Sequence, residues 1–385
     1  MDPLTTGFGG ALLAKALPDN YRGPSGVMAV TVASVVPDLD ILPGFFNNDL
    51  MGGFTSHRAF THSLAGVVVM APLLALAFWR FSRDKNYPRL LTLSVFALLW
   101  HIFTDLATSW GTMVFHPFSR DRLAWDLLFI IDFTFTAVLL LPHLVAWTYR
   151  DPRRALRRGV LLWAILTALA ALANSLVSTF LGVAFHWGLF ALLSAVLAAL
   201  FLAPAFKGWG FRQDRAAFCR IGVAALVIYL ATCAVSHFLA VQQVKEFVRE
   251  KNLAVEALAA LPQPLSPFRW SGLVLTPEGV YQGWFNVLDS GPPAFQFFPS
   301  ARNDYVARAQ KLPEVQTYLW FTRFPVARYR TDGDRHIVEY TDLRFRARGS
   351  RAPSFTFRVT LNGNGDVLTR GFPDADSSNS SSALE

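Results

Sequence analysis

Long apolar runs alternate with short polar segments through the first part of the chain. Six of these runs come close to the roughly 20 residues that an α-helix needs to cross the hydrocarbon core of a membrane. They lie at residues 62–81, 88–109, 125–149, 159–184, 187–206 and 217–241. Two weaker apolar segments precede them: residues 4–17 are too short to cross comfortably, and residues 26–42 could span but carry two aspartates at their end. The pattern predicts a mainly α, polytopic membrane bundle of about six to seven spans.

After residue 242 the pattern changes, because apolar and polar positions begin to alternate with the period of two that is typical of β-strands. Two strand-like runs flank the turn signal Pro277-Glu278-Gly279, and residues 303–322 have the pattern of a helix. Further strand-like runs lie at residues 325–331, 335–346, 353–362 and 366–370. These elements predict a small α+β domain with a mostly antiparallel sheet.

The chain is therefore expected to have four parts. A membrane-embedded helical domain is followed by a linker, which we expect to be a short amphipathic helix and a proline-rich turn. The soluble α+β domain comes next, and a Ser/Asn/Asp-rich tail that we expect to be disordered ends the chain. The boundaries of these parts are 1–242, 243–267, 268–372 and 373–385.

Charge distribution supports this division and predicts an orientation. Residues 1–242 carry 30 charged side chains, whereas the shorter remainder carries 32. Lys and Arg concentrate in three alternate loops, at residues 80–89, 150–158 and 207–220. Because basic residues accumulate in cytoplasmic loops, we expect these three loops inside the cell. The extracytoplasmic segments are then residues 43–61, 110–124, 185–188 and everything after 242.

Histidines and aspartates gather at one level of the membrane domain, near the outer ends of the predicted spans. An ionisable group inside an apolar span is costly unless it faces a cavity, a partner or a metal. His101 and Asp105 are four residues apart, so they share one helix face. We predict a metal site formed by Asp38, Asp40, His57, His62, His101 and Asp105, with further candidate ligands in His116, Asp126 and Asp132.

The ligand types narrow the identity of the metal. Imidazole and carboxylate groups together suit zinc or manganese better than magnesium or calcium. Six ligands exceed the need of one tetrahedral ion, so one to three divalent ions are expected, with zinc first and manganese second. Each pair also has an ordinary alternative, since His101 and Asp105 could simply bond each other, and Asp132 could hold a ligand histidine in place.

Sites with two metal ions commonly catalyse the hydrolysis of phosphate esters. We predict that a water molecule activated at the site attacks phosphorus and that Asp40 or Asp126 accepts its proton. Arg58 is expected to stabilise the charge on the phosphoryl oxygens. The predicted substrate is a membrane lipid or a phosphorylated small molecule, and no nucleic acid is expected as a partner.

These motifs resemble those of the YdjM/YbcI family, bacterial inner-membrane proteins described as membrane-bound metal-dependent hydrolases. The resemblance begins at Met1-Asp2-Pro3-Leu4-Thr5 and covers roughly the first 150 residues. It continues through Pro37-Asp38-Leu39-Asp40, His57-Arg58-x-x-Thr61-His62-Ser63, His101-x-x-x-Asp105, Trp125-Asp126 and Phe129-Ile130-Ile131-Asp132. The family is distantly similar to zinc-dependent phospholipases C and single-strand nucleases. This likeness implies metal-ligand positions at Asp38, His57, His62, His101 and Asp105.

One departure from the family pattern is Thr6, which stands where the family usually has a histidine. Loss of one ligand implies fewer ions, a substitute such as His116, or a protein that no longer catalyses. Two other functions therefore stay open. The acids could form the path of an ion or proton transporter, or the chain could be a non-catalytic stress or assembly protein that keeps a structural metal.

Overall fold

A computed structural model describes most of the chain. The described residues are 1–19, 21, 23–42, 51–181, 187–206, 208–211, 214–264, 266–346 and 355–373. The prediction of a disordered tail at residues 373–385 falls almost wholly outside them.

The membrane domain is helical throughout most of its length. Its α-helices in chain order are α1 (Pro3–Ala16), α2 (Pro24–Ala33), α3 (Gly52–Thr55), α4 (Leu64–Phe81), α5 (Tyr87–Leu106), α6 (Phe133–Thr148), α7 (Pro152–Leu181), α8 (Trp187–Phe206) and α9 (Arg215–Lys251). Short 3₁₀ turns cover Val36–Ile41, Phe60–His62 and Trp209–Phe211.

Five segments in the described part of the chain are long and apolar enough to cross a membrane. They are Pro24–Ile41, Leu64–Phe81, Tyr87–Leu106, Pro152–Leu172 and Ala216–Lys251. Phe133–Thr148 and Trp187–Ala203 are shorter apolar helices. The protein is thus mostly helical with five candidate spans, and a total of six to seven stays a prediction.

The span predicted at residues 125–149 differs from the structure because its helix begins only at Phe133. The carboxylate of Asp132 accepts a hydrogen bond from the backbone N–H of Phe135 at 2.9 Å, which caps the helix there. The preceding residues form an irregular segment in which Thr108 pairs with Leu128 and Thr112 with Leu123. This segment lies against the end of α5, because the backbone N–H groups of Trp125 and Leu127 donate to the carbonyls of Leu106 and Ala107 at 2.7 and 2.9 Å.

Helix α1 lies inside the membrane domain and fixes the position of α5. The indole N–H of Trp100 donates to the carbonyl of Thr6 at 3.1 Å. Gly9 faces the same indole ring, and a Cβ at this position would collide with it. Because Trp100 precedes His101 on α5, this close approach sets the depth of a predicted metal ligand.

The C-terminal domain contains two antiparallel four-stranded sheets. The first has β1 (Ala257–Pro262), β2 (Arg269–Thr276), β3 (Gly279–Asn286) and β4 (Gln296–Pro299), and the second has β5 (Pro325–Asp332), β6 (Arg335–Asp342), β7 (Thr356–Leu361) and β8 (Val367–Gly371). Helices α10 (Asp304–Ala309) and α11 (Pro313–Phe321) lie between the two sheets in sequence.

Strands form within each predicted run, but the run at 335–346 is a strand only to Asp342 and then a 3₁₀ turn at Leu343–Phe345. The strands form two sheets instead of the one predicted, and β4 was not predicted. Two predicted helices also differ. The helix predicted at 303–322 is two helices, because Leu312 is extended and Pro313 begins a new first turn. The predicted linker helix is not a separate element but the end of α9, which stops at Lys251, where Asn252 adopts the left-handed conformation (φ +49°) typical of a helix C-terminus. Residues 257–262, assigned to the linker from sequence, instead form β1 and pair with β2.

The first sheet packs directly against the end of α9. Trp270 on β2 is fully buried against Ala240 and Val244 of that helix. Its indole N–H donates to the hydroxyl of Ser236 at 2.9 Å. The helix that leaves the membrane domain therefore also forms part of the core of the next domain.

We expect Trp270→Ala to destabilise the C-terminal domain by about 3–5 kcal/mol, since it deletes a buried aromatic side chain. Thermal unfolding of the purified protein, followed by near-ultraviolet circular dichroism, measures the effect. Leu288→Ala is the control in the same domain, because Leu288 is 67% exposed. Equal unfolding midpoints for the two variants would contradict the packing described above.

Candidate metal centre

Four buried side chains from three separate elements converge inside the membrane domain. Asp38 comes from the 3₁₀ turn after α2, where Pro37 prevents a regular helix from continuing. His62 ends the short turn before α4, and His101 and Asp105 lie on one face of α5. The ligand atoms of these four residues all lie within 4.8 Å of one another. The structure thus brings together residues that are up to 67 positions apart in sequence.

The contacts within this group join nitrogen and carboxylate atoms. His62 Nε2 lies 3.2 Å from Asp105 Oδ2 and 3.4 Å from Asp38 Oδ1. His101 Nε2 lies 3.4 Å from Asp105 Oδ2 and 3.6 Å from Asp38 Oδ1. His62, His101 and Asp105 are fully buried, and Asp38 is 8% exposed.

Both imidazole rings are oriented by hydrogen bonds at Nδ1, the ring nitrogen that points away from the group. His101 Nδ1 donates to the carbonyl of Ser34 at 2.7 Å. The Thr61 hydroxyl donates to Asp40 at 2.6 Å, so its oxygen is free to accept from His62 Nδ1 at 2.9 Å. With Nδ1 protonated, neutral rings direct the lone pair of Nε2 into the group, as metal-ligating histidines do.

The inward-facing atoms are suited to a positive charge between them. His101 Nε2 and Asp105 Oδ2 lie 3.4 Å apart inside the group and, like Asp38 Oδ2, are buried without a hydrogen-bond partner among the described residues. A buried polar atom without a partner is destabilising, and lone pairs that face carboxylates repel them. A divalent cation would satisfy all of these atoms at once, and imidazole with carboxylate is a donor set that zinc and manganese accept. The residues therefore fit a metal ion.

A second group adjoins the first and consists of Asp40, His57 and His62. His57 Nδ1 lies 2.7 Å from Asp40 Oδ1, and His62 Nδ1 lies 3.2 Å from Asp40 Oδ2. Asp40 thereby holds two imidazoles, and the same atoms offer ligands for a further ion.

Arg58 is buried at the side of the first group. Its Nη2 lies 3.0 Å from Asp105 Oδ1, and its Nη1 donates to the Thr108 hydroxyl at 3.0 Å. The N-terminal amine of Met1 also contacts Asp105 Oδ1. Both cations neutralise one oxygen of Asp105 and leave the other facing the histidines. Arg58 adopts the left-handed conformation (φ +62°), a strained state that is often found at functional sites.

Three residues predicted from sequence lie outside both groups. Asp126 pairs with Arg323 of the C-terminal domain at 2.9 and 3.0 Å. Asp132 caps α6 and accepts from the Tyr229 hydroxyl at 2.8 Å. The backbone N–H of His116 donates to the Met113 carbonyl at 3.0 Å, and its ring belongs to neither group.

Thr6 is buried beside α5 but offers no histidine ligand. Its hydroxyl donates to the Asp2 carbonyl at 3.1 Å, and its carbonyl accepts from Trp100. This position, where the family resemblance implies a histidine, therefore serves helix packing in this chain.

Some groups that contact the candidate metal ligands could not be identified from the sequence and are visible only in the fold. The Ser34 carbonyl orients His101, and the Met1 amine contacts Asp105. A carbonyl carries no residue-type signal, so no motif could indicate it. Arg323, by contrast, is a charged residue beside an apolar pair (Phe324-Pro325), but its partner Asp126 is 197 residues away.

Comparison with known proteins supports the assignment of the N-terminal part of the chain as a membrane domain. Residues 1–180 match the family described as YdjM inner membrane protein. "Uncharacterized protein YfhP" of Bacillus subtilis (strain 168) is 30% identical over 121 residues, which cover 31% of this chain and 35% of that protein. The chain thus spans about a third of the length of the curated relative it matches. No solved structure matches the chain.

The family match and the apolar helices support the same conclusion about the cellular setting. The chain has five helices of spanning length in its described part, and the matched family is one of inner-membrane proteins. It is a multi-pass inner-membrane protein, and its residues 1–180 are similar to the family described as YdjM inner membrane protein.

Proposed function

We propose that this protein is a membrane-bound, metal-dependent hydrolase of phosphoesters such as lipid headgroups. The observation that carries the proposal is the convergence of two buried, unpartnered atoms, His101 Nε2 and Asp105 Oδ2, with the Nε2 of His62 and the carboxylate of Asp38. Such an arrangement is costly unless a cation completes it. Asp38, His62, His101 and Asp105 would hold a divalent ion there, and the chemistry that it would supply is activation of water and polarisation of a phosphoryl oxygen.

The side chains around this group have separable roles in the proposal. Asp38, His62, His101 and Asp105 hold the ion, while the Ser34 carbonyl and the Thr61 hydroxyl keep the two rings oriented. Arg58 has a buried Nε without a partner among the described residues, and it supplies positive charge beside the ion-binding atoms. This charge stabilises the negative charge that develops on phosphoryl oxygens.

Asp40 is the proposed proton acceptor. Its carboxylate is 11% exposed and lies between His57 and His62, so it is next to the ion-binding atoms and still reachable by water. His57 is 17% exposed and bonds the other oxygen of Asp40, which holds that carboxylate in place. Asp126 is less suited to this role because both its oxygens pair with Arg323.

The outer face of the membrane is the proposed location of the site. His62 precedes α4 and Asp105 lies near the end of α5, while the loop with Arg80, Arg83, Lys85 and Arg89 joins the other ends of these helices. At 1.5 Å per residue, 18 and 20 residues separate the two ends by about 27–30 Å. Since basic loops favour the cytoplasm, this separation supports an extracytoplasmic site.

We expect His62→Ala and Asp105→Asn each to abolish tightly bound metal, because each removes one ligand from a buried group. Elemental analysis of the purified protein by mass spectrometry measures metal per chain. His336→Ala is the control, since His336 lies on β6 and pairs with Tyr329. Full metal content in both ligand variants would exclude the proposed centre.

We expect Arg58→Gln to lower kcat for phosphoester hydrolysis by about 10²-fold, the typical effect of removing one group that stabilises transition-state charge. Rates are measured on a panel of phosphodiesters and phospholipids, with metal content determined in the same samples. Arg58→Lys should retain part of the rate because it keeps the charge. If Arg58→Gln hydrolyses the substrate at the wild-type rate with full metal content, Arg58 has no catalytic role.

The orientation can be tested by cysteine labelling, because both native cysteines, Cys219 and Cys233, are buried. Phe118 is 90% exposed in the loop on the site side, and the Arg154 side chain is 72% exposed in a basic loop. We expect Phe118→Cys to react with a membrane-impermeant maleimide in right-side-out vesicles. Arg154→Cys should react only after the vesicles are opened. The reverse pattern would place the metal centre on the cytoplasmic side.

A further inference from the structure

A polar cavity of about 210 Å³ lies where the irregular segment before α6 meets the C-terminal domain. The membrane domain contributes Arg120, Asp121 and Arg122 to its lining. The C-terminal domain contributes Trp320, Arg323 and Arg344. Four guanidinium groups thus face one small space, which is a concentration of positive charge outside the metal centre.

The charges in this cavity are only partly balanced. Arg323 pairs with Asp126, and Arg344 Nε pairs with Asp342 at 2.7 Å. Arg120 and Arg122 form no ion pair with any residue that the structure describes. Asp121 is exposed and is held by the Ser119 hydroxyl at 2.7 Å. Positive charge therefore remains in excess at the cavity.

Arg122 carries a positive charge that no carboxylate of the described residues pairs with. It donates to the carbonyls of Phe54 and Gly111 at 3.0 and 2.9 Å, and its buried Nε has no partner among the described residues. Burial, with the nearby cations Arg58 and Arg344, lowers the pKa of Arg122 to about 9. The side chain still carries its charge at neutral pH, so a bound anion would relieve the repulsion.

Aromatic stacking orients the two unpaired guanidiniums. Arg120 lies 4.7 Å and Arg122 5.8 Å from the centre of the Trp320 ring. A guanidinium over an aromatic face keeps its N–H edges available for hydrogen bonds in its own plane. Such planar edges match the oxygens of phosphate, which arginine binds in a bidentate manner.

A short stretch of backbone links the cavity to the metal centre. Arg58, which contacts Asp105, donates to the hydroxyl of Thr108. Three residues later, the carbonyl of Gly111 accepts from Arg122. The backbone N–H of Met113 donates to the carbonyl of Arg58 at 3.0 Å. One segment therefore positions both the arginine beside the metal ligands and the arginine in the cavity.

We propose that this cavity, which we call the arginine pocket (Arg120, Arg122 and Trp320), binds a phosphate group of the substrate beside the metal centre. The inference rests on the proposed hydrolase function and adds a recognition site for anionic substrates. The volume suits a phosphate or a small headgroup, not an acyl chain. The phosphate belongs either to a membrane lipid headgroup or to a soluble phosphorylated molecule.

Inorganic phosphate is the probe that tests the pocket. Full-length protein in phosphatidylcholine nanodiscs is titrated with phosphate by calorimetry, before and after removal of metal with a chelator. Arg120→Gln should weaken phosphate binding about tenfold in both states, since it removes a charge-assisted hydrogen bond. Arg120→Lys should weaken it less. Arg335→Gln is the matched control, because Arg335 is exposed at the distant β5–β6 hairpin.

The outcomes separate the pocket from the proposed activity. Wild-type phosphate affinity in a folded Arg120→Gln protein would overturn the pocket, whatever the activity. Phosphate binding that depends on Arg120, with no hydrolysis of any phosphoester by the metal-loaded protein, would overturn the hydrolase and leave an anion site. Repeating the titration in phosphatidylglycerol nanodiscs shows whether the phosphate that binds the pocket belongs to a lipid headgroup or to a soluble molecule. A weaker apparent affinity there indicates that lipid headgroups compete, and an unchanged affinity indicates a soluble ligand.

Discussion

The membrane domain depends on one electrostatic constraint, which is that Asp38, His62, His101 and Asp105 are buried together away from water. Removing ionisable groups from water is destabilising by several kcal/mol per charge unless opposite charges and hydrogen bonds compensate. Arg58 and the Met1 amine compensate one oxygen of Asp105, and the Ser34 carbonyl satisfies the outer nitrogen of His101. The inward-facing atoms are left for a cation. The 3₁₀ turn at Pro37 and the left-handed backbone of Arg58 are local distortions that make this arrangement attainable.

The C-terminal domain packs against the membrane domain through both apolar contacts and an ion pair. Trp270 packs on the end of α9, while Phe54 packs against Phe321 with ring centroids 4.6 Å apart. Arg323 and Asp126 add a bidentate ion pair. These contacts bring the C-terminal domain against the irregular segment after α5. The arginine pocket forms at this junction and requires both domains.

Much of the fold follows from patterns that act locally. Apolar length alone indicates α4 and α5, and the four-residue spacing of His101 and Asp105 places both on one helix face. Alternation of apolar and polar residues likewise indicates β5 to β8. The start of α6 was not predicted, because residues 127–131 are apolar and continue the apolar run, and only the Asp132 cap and the backbone pairs with the preceding segment show that they are not helical. The strand β1 was missed because its pairing with β2 is a non-local interaction.

The sequence alone indicated the four residues of the candidate metal centre, Asp38, His62, His101 and Asp105, since ionisable groups in apolar surroundings are rare and few explanations fit them. It also determined the ends of the helices at which Asp38, His62 and Asp105 lie, because hydrophobic length sets where a span begins and ends. The pairing of Asp126 with Arg323 and the approach of Arg120 and Arg122 to Trp320 follow from the tertiary structure and not from the sequence. These pairs join residues about 200 positions apart, and their distance in space depends on how two domains pack. No periodicity or spacing along the chain encodes that packing, because it results from many weak contacts summed over both surfaces.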